Sequence, residues 1–100
     1  MNIIIKVNQY QGNHGHGYRS LRAENADNGK QLAVDLGGKA IVNFIEHAIQ
    51  QGIGQIIANG GTAESFTITL PSEVTLEAEL NTVLTQKYEA DPLVSSLTFA

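Results

Sequence analysis

A chain of 100 residues, 42% hydrophobic and 16% charged, suits a single domain over 1–100 with one core and argues against disorder. It contains no Cys, which excludes disulfide staples, thiolate catalysis and Cys-ligated metal centres, and leans toward a reducing compartment. The net charge of −4 is unevenly spread: residues 1–39 hold five basic and three acidic side chains, residues 40–100 one basic and seven acidic.

In chain order, Asn2 to Tyr10 alternates around Ile3, Ile5 and Val7 and reads as a strand. A stretch rich in Gly and His follows, Gln11-Gly12-Asn13-His14-Gly15-His16-Gly17. Tyr18 to Glu24 alternates again. Asn28-Gly29 then reads as a type I′ hairpin turn into a third strand, Gln31 to Leu36, with Leu32, Val34 and Leu36 on one face. After Gly37-Gly38 the period changes. The i, i+1, i+4, i+5 spacing of apolar residues at Ala40, Ile41, Phe44, Ile45, Ala48 and Ile49 predicts an amphipathic helix. Gly52 is its expected C-cap, with a short second element between 53 and 58; the alternative is a helix that runs on, since Ile53, Ile56 and Ile57 continue the stripe despite Gly52 and Gly54. Glu64 to Leu70 is a β-branched strand that Pro71 stops. Ser72 is a candidate N-cap for a second helix with Leu76, Leu80, Val83, Leu84 and Tyr88 on one face. Asp91-Pro92 ends it, and Leu93 to Phe99 is a closing strand.

This order predicts an α+β fold. Its expected sheet is mostly antiparallel, an N-terminal three-stranded meander plus one to three later strands, with two helices packed on one face. Ile41, Phe44, Ile45, Ala48, Ile49, Phe66, Ile68, Leu80 and Leu84 are expected to share the core. The β-prone first strand, if it lies at an edge, offers a route to a homodimer by pairing with a second copy.

His14 and His16 form a His-x-His pair that can grip a metal, with His47 or a carboxylate as a third ligand; no spacing singles one out. Gly12, Gly15 and Gly17 match neither the dinucleotide fingerprint nor the P-loop. Tyr18 and Arg19 follow the loop and complete a candidate binding set with His14 and His16, since loops on a rigid scaffold carry much binding function. Arg22, Lys6, Lys30 and Tyr10 add a mild basic and aromatic character that would suit single-stranded nucleic acid. A pI near 5.2 disfavours that reading. Glu73, Glu77 and Glu79 form a candidate acidic patch, although acids near a helix start also serve the helix dipole.

No catalytic constellation or cofactor motif is legible, which leans away from an enzyme. The expected function is a small non-catalytic binding protein acting by protein–protein contact, of regulator or inhibitor type, mobile-element accessory proteins included. The alternatives are a metal-binding, ligand-binding or enzymatic domain using the loop at 12–17, and a weak single-stranded nucleic-acid binder. No stretch approaches the ~18 apolar residues of a membrane span. Met1 to Val7 lacks the basic flank and apolar length of a signal peptide. The expected location is cytoplasmic, away from membranes.

Overall fold

In a computed structural model, which describes residues 1–11, 17–36 and 40–100 and leaves aside the side chains of 8–11 and 17–19, the chain is α+β. Its described elements are β1 (Asn2–Gln11), β2 (Gly17–Asn25), β3 (Lys30–Asp35), α1 (Ile41–Ala58), β4 (Glu64–Thr69), α2 (Ala78–Glu89) and β5 (Val94–Phe99). The strands form one sheet in the order β3-β2-β1-β4-β5. β1, β2 and β3 pair antiparallel, the meander expected from the sequence. The rest of the sheet departs from the expectation of a mostly antiparallel arrangement. β1 pairs parallel with β4, and β4 parallel with β5, so the sheet is mixed. The cause is the helix in each crossover: a helical connection carries the chain back to the strand's starting end, so the next strand runs parallel.

The core lies where α1 covers the odd-numbered residues of β1. Ile3, Ile5, Phe66, Ile68, Phe44, Ile45 and Ile49 are fully buried there, joined by Leu21, Ala48 and Leu84. Ile41 and Leu80, expected in the core, are only half-buried. α2 packs against β5 and meets α1 through Tyr88, whose hydroxyl donates to Glu46 and accepts from Gln50.

Two helix boundaries differ from the expectation. α1 does not stop at Gly52 but runs unbroken to Ala58, so no separate element occupies 53–58. Gly52 is buried inside the helix, where it lets α1 approach the sheet. A Cβ there would lie 2.9 Å from Met1 Sδ, 3.0 Å from Phe66 Cε2 and 3.4 Å from Ile3 Cδ1. The true stop is at Asn59-Gly60-Gly61. Gly60 takes φ 64°, its N–H donates to Ile57 O at 3.1 Å, and Gly61 N–H donates to Ile56 O at 2.9 Å. These are the paired bonds of a Schellman termination. α2 begins at Ala78 and not near Ser72, whose hydroxyl instead donates to Glu73. Val74 and Leu76 are half-buried in the non-helical approach to α2.

The third strand is out of phase with its sequence pattern. The β2–β3 register shifts between Ala23 and Glu24, and Leu32 has no Cα partner. This bulge buries both Leu32 and Ala33 and turns Val34 and Leu36 out to solvent, Leu36 to 76% exposure. The β2–β3 turn is longer than a type I′ turn. Gly29 has φ 73°, but no non-Gly residue described has positive φ, and Gly29 N–H donates back to Asn25 O. Asn25 is itself buried and donates from Nδ2 to Gln55 Oε1 of α1 at 3.0 Å.

β1 is an interior strand over Asn2–Ile4, flanked by β2 and β4, which removes the expected edge pairing there. The sheet's edge strands are β3 and β5. β5 is blunted: Leu97 N–H, which the alternation of backbone groups turns away from β4, donates to Glu89 Oε2 of α2 at 2.9 Å.

The α1–α2 contact carries a pH signature. Lys87 Nζ pairs with Glu46 Oε1, and that bond, with a smaller contribution from the Tyr88 hydroxyl, holds the Glu46 carboxyl below its ordinary 4.5 against the opposing effect of burial. A carboxyl with a depressed folded pKa stabilises the fold above its unfolded pKa and loses that contribution as pH falls through the folded value. Glu46→Gln is therefore expected to lower stability at neutral pH by roughly 1 kcal/mol or less. Its urea midpoint should also fall less on acidification than that of the wild type. Parallel acid profiles for the two proteins would remove Glu46 from the account.

Candidate functional site

β1 is ten residues long and β4 six, and this mismatch builds the site. Their parallel pairing covers Asn2–Ile4 against Thr67–Thr69. Pro71 then stands just beyond the end of β4, where it cannot donate to a ladder. Among the described residues β1 continues without a partner on that side, while staying paired with β2 as far as Gln11↔Gly17.

The backbone parity of β1 follows from two bonds. Thr67 N–H donates to Met1 O, and Ala26 N–H donates to Asn2 O. Odd residues therefore turn their N–H and C=O toward β4, and even residues turn theirs toward β2, because these groups alternate along a strand. Among the described residues nothing pairs with β1 on the β4 side beyond the Ile4–Thr69 partnership. The Ile5 carbonyl and both backbone groups of Val7 face this vacant lane.

Beside them is a cleft of about 380 Å³ lined by Ile4, Ile5, Lys6, Val7, Thr69, Leu70, Pro71 and Glu73. Its wall is mainly apolar, with one basic and one acidic side chain. Lys6 is not a free cation: its Nζ lies 3.0 Å from Glu24 Oε2. Lys6 and, to a lesser degree, Arg22 hold the Glu24 carboxyl below its ordinary 4.5. Arg22 Nε, shielded from solvent, is 3.0 Å from Glu24 Oε1, an ion pair whose angle falls short of a good hydrogen bond. Two of the basic groups expected to colour the sheet are thus held by one carboxylate.

His14 and His16 lie outside the described residues, as do Gly12 and Gly15. Tyr18 and Arg19 belong to β2, opposite Tyr10 and Gln9, and their side chains lie outside the described set. Of the acidic trio only Glu79 lies within α2. Glu73 stands in the loop before α2 and lines the cleft, Glu77 occupies the N-cap position without a side-chain cap bond, and Glu79 sits in the first turn. His47 is half-buried on α1. Among the described residues no group of three or more His, Asp or Glu is placed to hold a metal ion. None of their helices is long and apolar enough to cross a membrane.

Sequence reasoning passed over Val7, Leu70 and Pro71. The signal for them was the length mismatch between a long first strand and a short strand stopped by Pro. That mismatch has meaning only once the two strands are known to be neighbours. Comparison of the chain with protein-family models, with curated proteins and with solved structures finds no match.

Proposed function

We propose that the protein is a non-catalytic binding module that takes up an extended segment of a partner protein as an added strand along β1, in the lane that β4 vacates. The observation that carries this reading is the set of backbone groups at Ile5 and Val7 that have no partner among the described residues, beside a mainly apolar cleft. Such a lane gives affinity through main-chain hydrogen bonds, and the flanking pockets select side chains. β5 does not compete for the same kind of partner at Leu97, where Glu89 already satisfies the outward N–H. A segment bound beyond Val7 runs alongside the part of the ribbon that holds Tyr18 and Arg19. These two residues, and the histidines His14 and His16 that precede them in sequence, enter the reading as secondary contacts.

The test removes a backbone N–H by Val7→Pro and uses Val7→Ala as its control, because the Val7 side chain packs partly against the core and lines the cleft. Val7→Pro removes an N–H on the vacant side and leaves the β1–β2 ladder bonds, made by even residues, in place. A displayed library of extended peptides is panned on the wild type. Selected peptides are expected to bind Val7→Pro at least about tenfold more weakly than they bind Val7→Ala, with both variants folded. In the free wild type the Val7 amide should exchange with solvent quickly and the Lys6 amide slowly, and peptide should protect Val7. Peptides that bind both variants alike, with Val7 exchange in the wild type unaltered, would overturn strand addition.

A further inference from the structure

The chain contains two Asn-Gly pairs, Asn28-Gly29 and Asn59-Gly60. In each, the glycine nitrogen has no Cβ beside it and can attack the preceding side-chain amide. We propose that Asn28 is a site of self-modification in the folded protein, converting through a cyclic imide to aspartate and isoaspartate, while Asn59 is protected by the fold.

In the reaction Gly29 N loses its proton and bonds to Asn28 Cγ. The electron pair of the Cγ=O bond moves to Oδ1 and then returns as the Cγ–Nδ2 bond breaks, and the side-chain nitrogen takes up, by way of water, the proton that Gly29 N lost and leaves as ammonia. Water then opens the five-membered ring at either carbonyl. Opening at one gives aspartate. Opening at the other routes the backbone through the side chain and gives isoaspartate. Water is the only co-reactant, and no oxidant or reductant is required.

The local geometry favours the first step at Asn28. Its Oδ1 accepts a hydrogen bond from Lys30 N–H at 3.0 Å. That bond folds the side chain forward over the Gly29 peptide and sets a donor on the oxygen where negative charge develops. The opposing feature is that Gly29 N–H is engaged with Asn25 O at 2.8 Å. The turn residues 26–30 are exposed, whereas the acceptor Asn25 is buried and bonded to Gln55, so release comes from the turn moving away from a fixed Asn25.

Asn59 has the same sequence but a different tether. Its neighbours Gly60 and Gly61 donate to Ile57 O and Ile56 O, and these bonds close the end of α1. Ile56 is buried in the core. The acceptor of the Gly60 N–H belongs to Ile57, which is exposed, but turning the Gly60 peptide for attack would also break the Gly61–Ile56 bond, so the reactive geometry opens two bonds of the helix termination where Asn28 opens one.

The product has a structural consequence. A new carboxylate at position 28 stands beside Asp27, which binds the Asn2 backbone N–H at 3.2 Å and the Asn2 side-chain amide at 3.1 Å. Conversion adds charge to the clip that joins the β2–β3 turn to the start of β1.

The experiment incubates the folded protein in mildly alkaline buffer and follows both sites by peptide mapping, which separates aspartate from isoaspartate. A urea-unfolded sample serves as the reference. The unfolded chain is expected to convert at both sites at similar rates. The native chain is expected to convert at Asn28 roughly tenfold or more faster than at Asn59. Asn28→Gln, whose longer side chain must close a six-membered ring, should abolish the product at 28 and leave 59 unchanged. Equal native rates at the two sites would overturn the proposal. So would an Asn28 that stays intact over the time in which the unfolded chain converts.

Discussion

Phe44→Ala is expected to destabilise the protein by roughly 3–5 kcal/mol, the usual effect of removing a large buried aromatic ring. Phe44 has no solvent exposure, and it lies on the α1 face that carries Ile45, Ala48 and Ile49. The loss combines the transfer free energy of the ring with the cavity it leaves. That cavity has little chance to close. β1 and β4 beneath are fixed by pairing on both sides, and Phe66, Ile3 and Ile68 are already fully buried. A domain of this size holds typically only ~5–15 kcal/mol in total, so the variant should unfold cooperatively at much lower urea or remain unfolded. Val83→Ala on α2 is the matched control. Val83 is 57% exposed, and its truncation should shift the midpoint little. A Phe44→Ala midpoint close to the wild type would mean that α1 does not pack on this sheet.

What the sequence made legible is what local patterning controls. The strands at 2, 18, 31, 64 and 93 begin within a residue or so of their structural starts, because alternation marks them directly. The stripe through Phe44, Ile45, Ala48 and Ile49 was equally plain. Three features were not legible because they depend on neighbours distant in sequence. The bulge that turns Val34 out is set by the β2–β3 register. The parallel placement of β4 beside β1 depends on how the α1 crossover lands. The vacant lane at Val7 exists only because of that placement. His14 and His16, conspicuous in the sequence, fall outside the described residues, so the candidate site rests on residues whose types are unremarkable and whose juxtaposition is not.

At Gly52 and Gly54, two residues apart in α1, one residue type has opposite consequences, and Gly52 yields the second large expected effect. A glycine inside a helix costs about 1 kcal/mol relative to alanine, so two of them favour a stop on propensity alone. The structure keeps both inside α1 for different reasons. At Gly54 a Cβ would meet nothing within 4 Å, so Gly54→Ala is expected to stabilise the protein by up to about 1 kcal/mol. At Gly52 the same Cβ would press on Phe66 Cε2 and Met1 Sδ at distances that real contacts essentially do not reach or rarely tolerate. The Met1 side chain can swing aside. The Phe66 ring is fully buried and cannot. Gly52→Val adds a branched side chain at this contact, and lifting α1 to accommodate it would loosen the packing of Ile49 and Ile56 as well. The expected loss is about 3 kcal/mol, the upper end of ordinary overpacking. Gly52→Ala should fall between, since its gain in helix propensity offsets part of the strain. Urea denaturation of the three variants checks the order: Gly54→Ala above the wild type, Gly52→Ala at or below it, Gly52→Val well below. If Gly52→Val instead matched Gly54→Ala, α1 would have to stand farther from β1 and β4 than the contacts at Ile3 and Phe66 require, or end at Gly52 as its sequence first suggests.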